Sequence, residues 1–121
     1  MPTFALQTRA ASGHDEVEEL KSIFHGAKNV VRESLNTKSY PLVPLTGVAG
    51  TCIEVNLMDS RFDILLTVDA LETEERLADA QVRVNQICNR LARYTTTRKN
   101  IGVWLNLGGH KFWASTYTLE G

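Results

Sequence analysis

The chain has 121 residues, 43% hydrophobic and 22% charged, with a net charge of −1. This is the make-up of a single soluble domain over residues 1–121, long enough to bury a real core, and it gives no whole-molecule field for binding nucleic acid. No apolar run approaches the roughly 18 residues that span a bilayer, and the start lacks a basic segment followed by a long apolar one, so the expectation is a cytoplasmic protein, in its own cell or a host's, with no membrane partner.

Thr3 to Arg9 alternates, with Phe4 and Leu6 on one side, and reads as a strand. Ser12 or Asp15 is the expected cap of a first helix from Glu16 to Leu35. Its apolar stripe is Val17, Leu20, Phe24, Ala27, Val31 and Leu35. Residues 36–50 hold Pro41 and Pro44 and lack a period; they read as a long ordered loop, of the kind that often carries function. Thr51–Met58 and Arg61–Asp69 then read as a hairpin around Asp59-Ser60. Ile53, Val55, Leu57, Phe62, Ile64, Leu66 and Val68 share its apolar face, and Cys52, Glu54, Asn56, Arg61, Asp63 and Thr67 share the polar one.

Leu71 to Tyr94 reads as the second helix, with Leu77, Ala80, Val84, Ile87 or Cys88, and Leu91 as its stripe. The last twenty residues form a second hairpin around Gly108-Gly109. A tight turn there sets Leu107 opposite His110 and Trp104 opposite Trp113. Val103, Leu105, Phe112 and Ala114 then make a core face, while the other face carries both tryptophans, with Tyr117 close behind. The element order, strand-helix-strand-strand-helix-strand-strand, predicts an α+β fold: a ferredoxin-like βαββαβ sandwich with an extra C-terminal strand, its sheet antiparallel and both helices on one face.

A sheet face made of indoles calls for a cover. Three covers fit: a second copy of the chain, the 36–50 loop, or a planar ligand or unstacked bases. Trp104, Trp113 and Tyr117 are the expected platform, with Asn106 and Lys111 as its rim. A second feature is basic. Residues 1–80 hold 13 acids and 7 bases, and residues 81–121 hold 6 bases and one acid. Arg76, Arg83 and Arg90 recur every seven residues along one side of the second helix, and Arg93, Arg98 and Lys99 extend the row. Such a row suits phosphates, and it equally suits a solvated helix face with Glu72 and Asp79 as partners.

Chemistry leaves no local signature. His14, His25 and His110 show no metal-ligand spacing, so no metal is expected, nor any cofactor. Cys52 and Cys88 read as small hydrophobes in a reducing compartment. Gly47-Val-Ala-Gly50 lacks the Lys-Ser/Thr of a phosphate loop, and Glu54 with Asp63 is the one candidate carboxylate pair. The reading is therefore a non-enzymatic interaction or assembly protein, a homo-oligomer or part of a small assembly such as a virus or phage particle, acting through the aromatic face. Two alternatives stand beside it. One is a nucleic-acid-binding module using the rings and the basic row. The other is a small-molecule-binding protein or enzyme with a cleft under the 36–50 loop.

Overall fold

A computed structural model of the chain describes residues 3–8, 13–35, 49–54, 62–95 and 99–116. Five strands form one mixed sheet: β1 Thr3–Thr8, β2 Ala49–Glu54, β3 Ile64–Ala70, β4 Ile101–Leu107 and β5 His110–Ser115. Helix α1 spans His14–Ser34, α2 Glu74–Ala78 and α3 Ala80–Leu91, followed by a 3₁₀ turn at Ala92–Tyr94. The strand order is β2-β1-β3-β4-β5. β1 runs parallel to β2 and antiparallel to β3, β3 runs parallel to β4, and β4 is antiparallel to β5.

The ferredoxin-like expectation holds only as far as α+β with both helices on one face. In the split arrangement the second strand pairs with the third and the fourth with the first. Here those outer partners are exchanged: β2 flanks β1 and β4 flanks β3. Each helix is thus the crossover of an ordinary βαβ unit, which requires parallel neighbours. The predicted 51–69 hairpin is corrected accordingly. β1 lies between β2 and β3, and Leu6 takes both Cys52 and Leu66 as partners. The Asp59-Ser60 turn itself lies outside the described residues.

The face parity of β2 is corrected too. Cys52 shares its row with buried Leu6, on the helix side of the sheet. Ala49 and Gly50, expected in the loop, belong to β2, and the Phe4 ring lies over Gly50 where a Cβ would sit. The remainder of that loop, residues 36–48, is outside the described residues.

The core lies between the helices and one sheet face. Phe4 and Leu6 of β1, Ile64, Leu66 and Val68 of β3, and Ile101, Val103, Leu105 and Leu107 of β4 meet Leu20, Ile23, Ala27, Val30 and Val31 of α1 and Val84, Ile87, Cys88 and Leu91 of α3. The α3 stripe is as the periodicity predicts. In α1 the stripe is displaced: Val17 is exposed, while Ile23 and Val30 are buried. Neither expected cap is confirmed. Gly13 holds the α1 cap position, Asp15 lies in the first turn, and Ser12 is not described. Thr73 caps α2, accepting from the Arg76 N–H at 3.2 Å.

Candidate functional site at one end of the sheet

The C-terminal hairpin takes the predicted register, with Leu107 opposite His110 and Trp104 opposite Trp113. Gly108 supplies φ +62 at the first turn position, as a type II′ turn requires. Val103, Leu105 and Ala114 are buried toward the helices, and Phe112 packs against them. On the opposite face the two indoles lie 4.7 Å apart, tilted by 50°. Phe62 meets Trp113 edge-on at 5.6 Å. Trp113 lies across Gly102 and leaves no room for a Cβ there. Trp104 remains 41% exposed. Tyr117 lies outside the described residues.

At one end of this face the register sets a polar row: Thr3 of β1, Asp69 of β3, Asn106 of β4 and Lys111 of β5 are successive partners. Asn106 Nδ2 donates to Asp69 Oδ1 at 3.0 Å. A carboxylate only accepts, so the amide must turn its NH₂ to Asp69 and its carbonyl away. That Oδ1 is buried with no donor among the described residues. Beside the row, His110 Nε2 stands 3.3 Å from Glu72 Oε1, and Glu72 lies against the Gly108 turn. Asn106 and Lys111, read as the rim of the aromatic platform, are therefore also members of this cluster. Thr3, Asp69 and Glu72 escape a sequence reading, because no local spacing joins them: Thr3 meets Asp69 through the β1–β3 register, and Glu72 meets the β4–β5 turn.

The arginines at heptad spacing go elsewhere. Arg76 is 7% exposed; its Nε donates to Leu35 O at 3.1 Å and its Nη1 to Leu71 O at 2.9 Å. Arg83 donates to Ser34 O at 3.0 Å and to Asp79 Oδ1 at 2.6 Å. Arg90 pairs with Glu33 at 3.1 Å. Three successive residues at the end of α1 are thus gripped by one face of α2 and α3, where cations offset the helix dipole and satisfy terminal carbonyls. Arg93 and Lys99 are exposed, and Arg98 is outside the described residues.

His14 and His25 are exposed on α1 and His110 is exposed on β5. Among the described residues no three His, Cys, Asp or Glu side chains gather as a metal site. Asp63 accepts from the Asn100 N–H at 3.3 Å, and the Glu54 side chain is not described. A groove of about 350 Å³ between α1 and β2 is lined by Val17, Leu20, Lys21, Phe24 and the exposed Cys52. It lies on the helix side of the sheet, opposite the polar row. Burial pushes the Cys88 thiol up to about 11, which removes it as a nucleophile. No described helix is long and apolar enough to cross a membrane.

No family model matches the sequence, and neither does any curated protein. Solved structures share the fold. A fused 4-OT wild-type symmetric trimer gives a TM-score of 0.58 at 13% identity, over 87% of this chain and 84% of that one. FG41 malonate semialdehyde decarboxylase, inhibited by 3-bromopropiolate, gives 0.57 at 10% identity over 88% and 82%. Malonate semialdehyde decarboxylase solved as wild type, inactivated, and as a mutant with its first-position proline changed to alanine gives 0.55 at 12% identity over 88% and 84%.

At such identity the likeness is one of fold alone, and the β2-β1-β3-β4-β5 order of the sheet sets that fold apart from the ferredoxin-like one. These likenesses correct the expectation of a non-enzymatic assembly protein, since the shared architecture is that of decarboxylase enzymes, and they lend no support to a viral origin or a nucleic-acid partner.

Proposed function

We propose that the chain is an enzyme acting on a small carboxylate-bearing substrate at the polar end of the sheet, with the nitrogen of Pro2 as its reacting group. One observation carries this. The sequence places a proline immediately before β1, the strand whose first residue, Thr3, opens the polar row. With Met1 removed, Pro2 offers a secondary amine, and a terminal amine titrates near enough to neutrality, at about 8, to exchange protons in catalysis. The malonate semialdehyde decarboxylase of this fold, described for decarboxylase and hydratase activities, is the protein in which a first-position proline was replaced.

The test uses the acetylenic acid that inhibits a protein of this fold. The purified chain carrying Cys52→Ser, which removes the exposed thiol, is treated with 3-bromopropiolate and mapped by mass spectrometry. An adduct on Pro2, lost in Pro2→Ala, is the expected result. A chain whose first residue is not Pro2, or one that forms no Pro2 adduct, overturns the proposal.

The working form is proposed to be a homo-oligomer, as in the trimeric 4-OT structure. Further copies of the chain would cover Trp104 and Trp113, with Asn106 and Lys111 at the edge of the contact. The exposure of the Trp104 indole supports this reading.

A further inference from the structure

We propose that the groove between α1 and β2 is a second binding site, on the other side of the sheet from the polar row, and that it takes a medium-chain carboxylate, the aliphatic tail lying along Val17, Leu20 and Phe24 and the head group meeting Lys21. The groove follows from the sequence of β2. Gly50 and Cys52 are successive residues on the helix side of that strand, opposite Phe4 and Leu6 of β1. Both are small, so β2 leaves the near flank of α1 uncovered. The Phe4 ring takes the space over Gly50 and backs Phe24 at 5.6 Å, while Cys52 stays exposed at the groove. Val17, which the periodicity assigns to the buried stripe of α1, is left 39% exposed here.

Size and charge select the occupant. The volume of about 350 Å³ is that of a small-molecule site. At ~30 Å³ for each water-sized group it holds about a dozen heavy atoms, the count of a ten-carbon chain with its carboxylate. Val17, Leu20 and Phe24 are apolar, and the charged residue among the described lining is a lysine. Lys21 is 71% exposed, and its contact with Glu18 at 3.5 Å is screened by solvent and holds the ammonium only weakly. Lys28 Nζ adds a second ammonium, 5.4 Å from the centroid of the Phe24 ring. An apolar trough edged by ammonium groups complements an aliphatic anion. Lysine stems lie over apolar surface with their heads in water, so Lys21 covers the tail and meets the head group at once.

Cys52 makes the site readable. Of the two cysteines it is the exposed one, and Cys88 is buried. A tail lying in the groove covers the Cys52 thiol and slows its alkylation. The groove shares no residue with the polar row, so this site and the reading of Pro2 stand or fall separately.

The experiment measures the rate at which a neutral maleimide alkylates Cys52, mapped by mass spectrometry, with and without decanoate below its micelle-forming concentration. Decanoate is expected to slow the reaction saturably. Octanoate, two methylenes shorter, should need about fifteenfold more for the same protection, at about fourfold for each buried CH₂. Lys21→Gln should weaken decanoate about threefold, and Val17→Gln about fivefold; both positions are exposed, so the fold tolerates the changes. Decanol protecting as well as decanoate overturns the carboxylate assignment. No protection, or protection unchanged in Val17→Gln, overturns the site. A Cys52 rate that falls with rising chain concentration in the absence of decanoate gives the groove to a second copy of the chain and overturns the proposal as well.

Discussion

Replacing Arg76 by Met tests the idea that the arginine row is a clamp on α1 and not a solvated face. Met keeps much of the stem's volume and removes the guanidinium. Hydrogen bonds from a charged donor contribute about 1.5–3 kcal/mol each, and Arg76 makes two to backbone carbonyls from a position 7% exposed. Part of that is offset, because the buried charge no longer has to be desolvated. The net loss should be about 3 kcal/mol. Arg83 anchors Ser34 O from a less buried site, and its variant should lose about 1–2 kcal/mol. Arg90 and Glu33 are 39% and 48% exposed, so solvent screens the pair and Arg90→Met should cost at most about 1 kcal/mol. With an unfolding entropy of ~2.1 cal/mol/K per residue, ~0.25 kcal/mol/K for this length, the Tm should fall by about 12 °C for Arg76, about 4–8 °C for Arg83 and under about 4 °C for Arg90. Thermal melts at one fixed chain concentration read this order directly, since any self-association makes Tm concentration-dependent. Three equal, small shifts would refute the clamp and return the row to solvent.

Two further outcomes follow from the same geometry. Trp104→Arg places a charge on the exposed indole position; light scattering should show a folded chain of lower mass than wild type, and an unchanged oligomer would remove the indole face as the contact. Cys88 should resist a thiol reagent in the native chain at pH 8 while Cys52 reacts, with both reacting in denaturant. Because burial raises the Cys88 thiol from 9.0 to about 11, the folded state holds its proton longer than the unfolded chain does, and stability should decline as pH rises through that interval. A Cys88→Ala variant should lose that part of the alkaline decline.

Local signals and long-range ones were unequally readable. The terminal hairpin was legible because a Gly-Gly turn fixes both register and face within a few residues, and the α3 stripe because about three turns repeat it. The sheet order was not. The sequence of elements is the same whether the outer strands pair as in a split βαβ or exchange partners, as they do here, and the choice rests on contacts between residues far apart in the chain. Alternating apolar residues after Thr51 fit a hairpin with β3, but they say nothing about β1 lying between the two. The single second helix expected from Leu71 to Tyr94 is divided at Asp79, with Arg76 on α2 and Arg83 and Arg90 on α3, yet all three arginines reach the end of α1. Their targets were invisible because three of them, Ser34 O, Leu35 O and Leu71 O, are backbone atoms, which leave no mark in composition.

The same exchange of partners bears on where chemistry can sit. β1 and β3 would be antiparallel neighbours in either arrangement, so Thr3 would face Asp69 in both. What differs is the third member of the row. In the split form the strand beside β3 is β2, with no Asn106 to hold the carboxylate. Pairing β3 in parallel with β4 puts Asn106 level with Asp69, and the β4–β5 turn then sets Lys111 level with Asn106. The row Thr3-Asp69-Asn106-Lys111 therefore exists only in the observed topology. None of these residues forms a motif along the chain, and three of the four stand on strands that the sequence alone would have placed beside other partners. A site assembled in this way depends on the sheet order for its geometry. Substitutions that weaken the β3–β4 pairing, such as a larger residue at Gly102 under Trp113, should damage the polar end without touching any of its side chains.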